Sequence, residues 1–252
     1  MMKSNYFTAD IKRLIKRPNV YVAIVGVTIS LFFSLEGKGI VNDNILSTYI
    51  TSTELSGIMV AYIFCAFSYA LSLCESLEQK YMRYEVVRGN LKKYLISKVS
   101  VTYVSSVLTM VMGTVVFLLM LRMRIPWVDF KSDSQEIIIA GQFAVLFQEG
   151  HYFIYCIIYA MHLGMLAGTL SVFALLVSMY ITNKVTILAV PLLAYQILLD
   201  NAGDSIFTVF SYRIYNRLFG SDFHYVIFIL AFSIIPVLIC TYGMYRKIKQ
   251  SI

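Results

Sequence analysis

Charge is scarce in this chain. Asp, Glu, Lys and Arg together supply 14% of 252 residues, where a soluble domain usually carries about 25%. Proline occurs four times and cysteine four times, too few for a disulfide scaffold or a proline-rich linker. Cys65, Cys74, Cys156 and Cys240 all fall inside or at the edge of apolar runs, and no CxxC spacing points to zinc. Three absences narrow the enzyme classes. There is no GxxxxGK followed by Ser or Thr, and Gly37-Lys38-Gly39 is only a partial likeness to that phosphate loop; HExxH and GxSxG are missing too. The chain therefore lacks the usual equipment for ATP hydrolysis, zinc peptidase chemistry or serine hydrolysis. No polar stretch is long enough for a soluble catalytic domain.

What is present is apolar. Hydrophobic residues make up 59% of the chain and the mean hydropathy is +0.73. A membrane-crossing helix needs about 20 mostly apolar residues, and six stretches approach that: 20–35, 55–73, 99–121, 152–181, 185–199 and 225–245. The first and fifth are short, Pro191 is expected to bend the fifth, and the fourth exceeds what a bilayer needs. The first apolar run follows a charged segment and reads as a retained span, not a cleaved leader. The expected fold is a single all-α membrane domain over 1–252 with six transmembrane helices.

The formal net charge is +7. The cations lie beside apolar spans, where they act as topology signals instead of a nucleic-acid footprint. With the N-terminus inside, the inner segments hold 15 of the 21 Lys and Arg residues and the outer ones 6. The expected topology places both termini in the cytoplasm.

Residues 1–19 form an amphipathic elbow. Phe7, Ile11, Leu14 and Ile15 follow helical spacing while Lys12, Arg13, Lys16 and Arg17 take other positions, and Pro18 marks a bend before the first span. Two readings stand here: a cationic interfacial anchor whose apolar side lies in lipid, or a shaped elbow that also meets a partner.

The stretch 75–98 between the second and third spans is the richest in signals. Leu77, Tyr81 and Tyr84 make one stripe, with Glu78, Lys80, Arg83, Glu85 and Arg88 around it. Gly89 suits a helix end and Asn90 the cap of the next helix, which opens Leu91-Lys92-Lys93-Tyr94 and runs into the third span. Such a charged, aromatic-bearing helix is either a solvated connection or a docking lever for a cytosolic partner.

Two outer segments are half polar. Residues 136–149 are too short to span and carry Gln142; they read as an interfacial helix or an extension of the fourth span. Residues 206–220 interleave Phe207, Phe210, Tyr212, Tyr215 and Leu218 with Arg213 and Arg217, as a helix at or dipping into the interface would. Ala160, Gly164 and Gly168 place small residues on one face of the fourth span, open to a helix of the same protomer or of a dimer partner. His151 and His162 are eleven residues apart, too far along a helix to share a metal. Glu54 and Asp200 sit at span ends, so no mid-membrane carboxylate marks an ion-coupled carrier.

Glu78, Arg88-Gly89, Lys92-Lys93-Tyr94 and Ser97-Lys98 resemble the inner loop of ABC-2-type transporter permeases, including peptide- or bacteriocin-exporter-like members. The elbow, six spans, short second inner loop at Thr182-Asn183-Lys184 and half-polar segment before the last span are similar in layout. Residues 82–87 depart from the small polar turn common in that loop. The resemblance implies a non-catalytic permease subunit that exports cargo and dimerises with an identical or different permease. It further implies a pair of ATP-binding cassette subunits, carrying ATP and Mg, docked on Glu78, Tyr81, Arg83, Tyr84, Arg88, Lys92, Lys93, Tyr94 and Lys98. The sparse charge of the spans suits an amphipathic or hydrophobic cargo such as a peptide, and a bacterial plasma membrane is the implied home. An ATP-independent channel or carrier and a non-transporting sensor or scaffold are the alternative classes.

Overall fold

The computed structural model describes residues 6–36, 44–54, 57–78, 91–127, 142–202 and 219–251. Ten α-helices and no strands occur among them. Six helical segments are long and apolar enough to cross a bilayer: Pro18–Leu35, Gly57–Ser76, Leu91–Arg122, Tyr152–Val177, Lys184–Asn201 and Asp222–Gln250. Their order matches the six stretches expected from hydropathy. Tyr6 of the first helix and Ile248 of the last pack in one cluster with Leu91 and Tyr94, and this end of the bundle is here named the terminal side; the opposite end is the far side.

The helix α1 (Tyr6–Lys16) ends just before Arg17, whose backbone N–H donates to the Leu14 carbonyl at 3.1 Å, and α2 (Pro18–Glu36) opens on Pro18. Proline suits that first position because its missing N–H would have no intrahelical partner. Apart from Asn19, Thr28, Ser30, Ser34 and Glu36, α2 is apolar, so periodicity alone does not choose its inner face. Side-chain size does: Ala23, Gly26, Val27, Ser30, Leu31 and Ser34 are buried, while Tyr21, Val25, Ile29 and Phe33 point outward. In lipid there is little hydrophobic drive between helices, and close approach of small residues takes its place.

The stretch before the second span adds an element that hydropathy did not anticipate. Helix α3 (Ile45–Glu54) is capped by Asn44, whose Oδ1 accepts the Ser47 N–H at 2.7 Å. It packs at the far side, where Ile45 N–H donates to the Pro126 carbonyl at 3.0 Å and Tyr49 meets the rings of Phe117 and Tyr159. Its many Ser and Thr residues hid it from a hydropathy reading. Their hydroxyls bond the helix's own carbonyls, as Thr48 does to Asn44 and Thr51 to Ser47, which makes the helix tolerable inside the bundle.

The second span is two helices, α4 (Gly57–Phe67) and α5 (Leu71–Glu78), separated by a turn at residues 68–70. The third is a single 32-residue helix, α6 (Leu91–Arg122), about 48 Å long at 1.5 Å per residue. Hydrocarbon thickness is about 30 Å, so α6 is longer than a crossing needs, and its lysines, Lys92, Lys93 and Lys98, all precede residue 99. After the short α7 (Ala144–Gln148) comes α8 (Tyr152–Val177), the fourth span. It stops at a turn over residues 178–180, shorter than the expected 152–181. Helix α9 (Lys184–Ala202) carries Pro191 without interruption, and α10 (Asp222–Ser251) carries Pro236.

The second and fourth spans form the centre, with 72% and 67% of their most apolar stretches buried, whereas those of the fifth and sixth are 17% buried and line the periphery. In α8, a Cβ on Gly164 would lie 3.1 Å from the Val107 Cα, and one on Gly168 would lie 2.7 Å from the Tyr103 ring. Both glycines therefore meet α6 of the same protomer. Ala160 is fully buried in the same helix.

Candidate functional site

The densest polar constellation among the described residues lies under α1 on the terminal side. Asp10 is 3% exposed and Lys98 2%. The Lys98 ammonium donates to Asp10 Oδ1 at 2.8 Å and to the Tyr69 hydroxyl at 3.2 Å. The Tyr69 hydroxyl in turn donates to Asp10 Oδ1 at 2.9 Å, and the Ser97 hydroxyl donates to Oδ2 at 2.7 Å. One carboxylate from the elbow thus collects three donors from two spans. The Lys98 ammonium also stands 5.2 Å from the Tyr69 ring centroid and 5.8 Å from that of Tyr94, within the reach of a cation–π attraction.

Local structure explains how each group arrives. Asp10 and Leu14 are one turn apart on the protein-facing side of α1, and Leu14 packs with Tyr69 and Val101. Ser97 and Lys98 lie on the α6 segment that precedes the apolar part of the third span. Tyr69 sits in the break of the second span. That break frees helix carbonyls, which lipid cannot satisfy. Hydroxyls do so instead: Ser68 and Ser106 both donate to the Cys65 carbonyl, at 2.7 and 3.1 Å, and Ser68 meets Ser105 at 3.1 Å. A second tie runs alongside. The Arg17 guanidinium meets the Glu75 carboxylate at 2.6 Å, with both side chains about 30% exposed, and lies 5.7 Å from the Tyr69 ring.

The energetics of the two ties differ. A buried ion pair recovers its large desolvation cost only when its remaining valences are bonded; here both Asp10 oxygens accept and Lys98 donates twice, and breaking one side costs about 3–5 kcal/mol. The half-exposed Arg17–Glu75 pair contributes about 0–1 kcal/mol.

The expected elbow is present but its apolar stripe divides. Leu14 is buried against the protein and Ile11 half-buried, while Phe7 and Ile15 are 50% and 61% exposed and free to face lipid. Lys12, Arg13 and Lys16 point outward, although Arg13 reaches to 4.0 Å from Asp10; Arg17 turns in to Glu75. Sequence reasoning passed over Asp10. The signal was there: it is the single acid among the first 19 residues, surrounded by cations and one turn before Leu14.

The expected docking residues separate into three groups. Lys92 and Lys93 are exposed at the start of α6, Lys92 lying 5.5 Å from the Tyr245 ring centroid. Tyr94 and Lys98 are buried, Tyr94 edge-on to Tyr6 and Lys98 on Asp10, so neither is on a surface a partner would touch. Glu78 is the last residue of α5, and its side chain falls outside the described residues. Tyr81, Arg83, Tyr84 and Arg88 likewise lie outside the described residues, as do residues 136–141 and 206–218 of the two half-polar segments.

Elsewhere the chemistry is sparse. His162 is buried, its Nδ1 2.6 Å from the Ile158 carbonyl and its ring stacked on Tyr225, whereas His151 is exposed. Asp200 is exposed and accepts from Gln196. No group of three His, Cys, Asp or Glu residues able to hold a metal occurs among the described residues. No protein-family profile, curated protein or solved structure matches this chain.

Proposed function

We propose that this chain is the membrane-spanning permease subunit of an ATP-driven transporter, energised by a separate pair of ATP-binding subunits docking on the 75–98 loop. It exports an amphipathic or hydrophobic cargo such as a peptide, works as a dimer with an identical or different permease, and sits in a plasma membrane with both termini in the cytoplasm. The observation that carries this reading is the residue pattern from Glu78 through Arg88-Gly89 and Lys92-Lys93-Tyr94 to Ser97-Lys98, set between the second and third of six apolar helices. The six-helix count and an amphipathic helix packed ahead of the first span support it. The sequence's lack of a phosphate-binding loop of its own fits a division of labour in which a partner chain hydrolyses ATP.

Lys92 and Lys93 lie exposed at the trailing edge of the loop, where an acidic surface on a cytosolic partner would meet them. Affinity capture of the full chain from its native membrane tests the proposal. A nucleotide-binding chain is expected among the captured proteins, and the charge reversals Glu78→Lys and Arg88→Glu are expected to weaken that capture severalfold. Full capture by both variants would refute the docking assignment, and solute movement by the purified chain alone would refute the permease reading.

A further inference from the structure

The polar ties of α1 are distributed in a way that neither the six-helix layout nor the docking loop requires. Glu75, held by Arg17, lies in α5 just before the 79–90 segment. Ser97 and Lys98, both held on Asp10, lie in the first two turns of α6 just after that segment. The elbow therefore contacts both flanks of the 79–90 segment, through a partly exposed ion pair at Glu75 and a buried one at Lys98. Tyr69 adds a third attachment, at the break of the second span. The grip continues into the first span, because only Arg17 separates α1 from α2.

We propose that Asp10 is a positioning residue that makes the elbow, the first span and the Ser97–Lys98 flank of the 79–90 segment move as one body, with the Arg17–Glu75 pair a weaker tie to the other flank. Displacement of that flank is passed through the Asp10 carboxylate to α1 and α2. Three features argue for a mechanical part over a lipid anchor. A lipid-floating helix keeps its charged groups outward, but Asp10 is driven fully inward. Its partners come from two different spans, so the carboxylate is a junction and not a local cap. The contact also includes a broken helix at residues 68–70, which lets the α5 foot change angle relative to α4 while staying attached to the elbow. Buried polar groups whose valences are all satisfied specify one arrangement and resist intermediates, as a force-transmitting joint must.

The test uses the full chain in lipid nanodiscs and reads amide hydrogen exchange by segment. Asp10→Leu combined with Lys98→Met removes both charges together, so that no lone ammonium is left buried; Asp10→Glu is the conservative comparison. In the double variant, exchange across Tyr6–Lys16 is expected to accelerate by about tenfold or more through local opening, with the far half of α6 unchanged. Asp10→Glu is expected to restore protection within about threefold. Equal protection of α1 in the wild type and the double variant would overturn the proposal.

A second arm rests on the permease reading. With the captured ATP-binding chain present, a non-hydrolysable nucleotide is expected to alter exchange in the loop flanks and in α1 together in the wild type. In the double variant it should reach the flanks alone. A wild-type response confined to the flanks would also overturn the proposal. A wild-type chain that captures no nucleotide-binding partner refutes the permease reading instead, and the nucleotide-free comparison still decides whether Asp10 holds the elbow.

Discussion

Replacing Asp10 by alanine is the perturbation whose size the structure defines best. The substitution removes the acceptor of three donors and leaves the Lys98 ammonium 2% exposed beside two tyrosine rings. The expected cost is that of a buried ion pair broken from one side, about 3–5 kcal/mol. A chain of this size shifts its midpoint by about 2–4 °C per kcal/mol, so the drop should be on the order of 10 °C. Thermal melting in detergent, followed by size-exclusion recovery of the tagged full chain, reads it directly. Asp10→Asn should fall between, because an amide oxygen at the Oδ1 position still accepts from Tyr69 and Lys98 while its NH2 faces the Ser97 hydroxyl and the charge is lost. Asp10→Leu with Lys98→Met should recover most of the loss, since removing both charges also removes the desolvation penalty. If the single alanine variant and the double variant melt together, Lys98 is not held by Asp10, and the reasoning about this site fails.

Two further outcomes follow from packing and layout. Gly168→Leu should destabilise by about 1–3 kcal/mol through overpacking, because a Cβ there already meets the Tyr103 ring at 2.7 Å; Val145→Ser, on an exposed position, is the control, and retention of wild-type melting by Gly168→Leu would sink the assigned α6–α8 contact. Cysteines introduced at Lys93 and Lys249 should label with an impermeant maleimide from one face of the membrane and one at Arg124 from the other; labelling of all three from the same face would refute six crossings.

Much of the architecture was legible without coordinates. The six spans follow from runs of apolar residues whose lengths match a bilayer, and lipid forces such runs into helices because nothing else satisfies their backbone. The elbow boundary at Pro18 was legible for an equally local reason, the missing N–H and fixed φ of proline. Helix α3 was not, because its Ser and Thr residues suppress hydropathy while bonding their own carbonyls. The turn over residues 68–70 was equally hidden. It holds neither Gly nor Pro, and beside its own Ser68 the hydroxyls that bond it come from Ser105 and Ser106, 37 and 41 residues from their partners.

Lys98 is the clearest case of a residue whose type was read correctly and whose role was decided by its surroundings. Beside Lys92 and Lys93 it belongs to a basic cluster expected to face a partner, and helical phase separates it from them. Lys92 and Lys93 fall on the outer side of α6, while Lys98 falls on the side that α1 covers. By itself the sequence determined the number and order of the long apolar helices, because those depend on local hydrophobicity measured against a fixed bilayer thickness. Tertiary structure alone decided which cation is buried, which acid receives it and where the second span breaks. Those outcomes depend on groups distant in the chain meeting in a medium where an unpaired charge or carbonyl is too costly to keep.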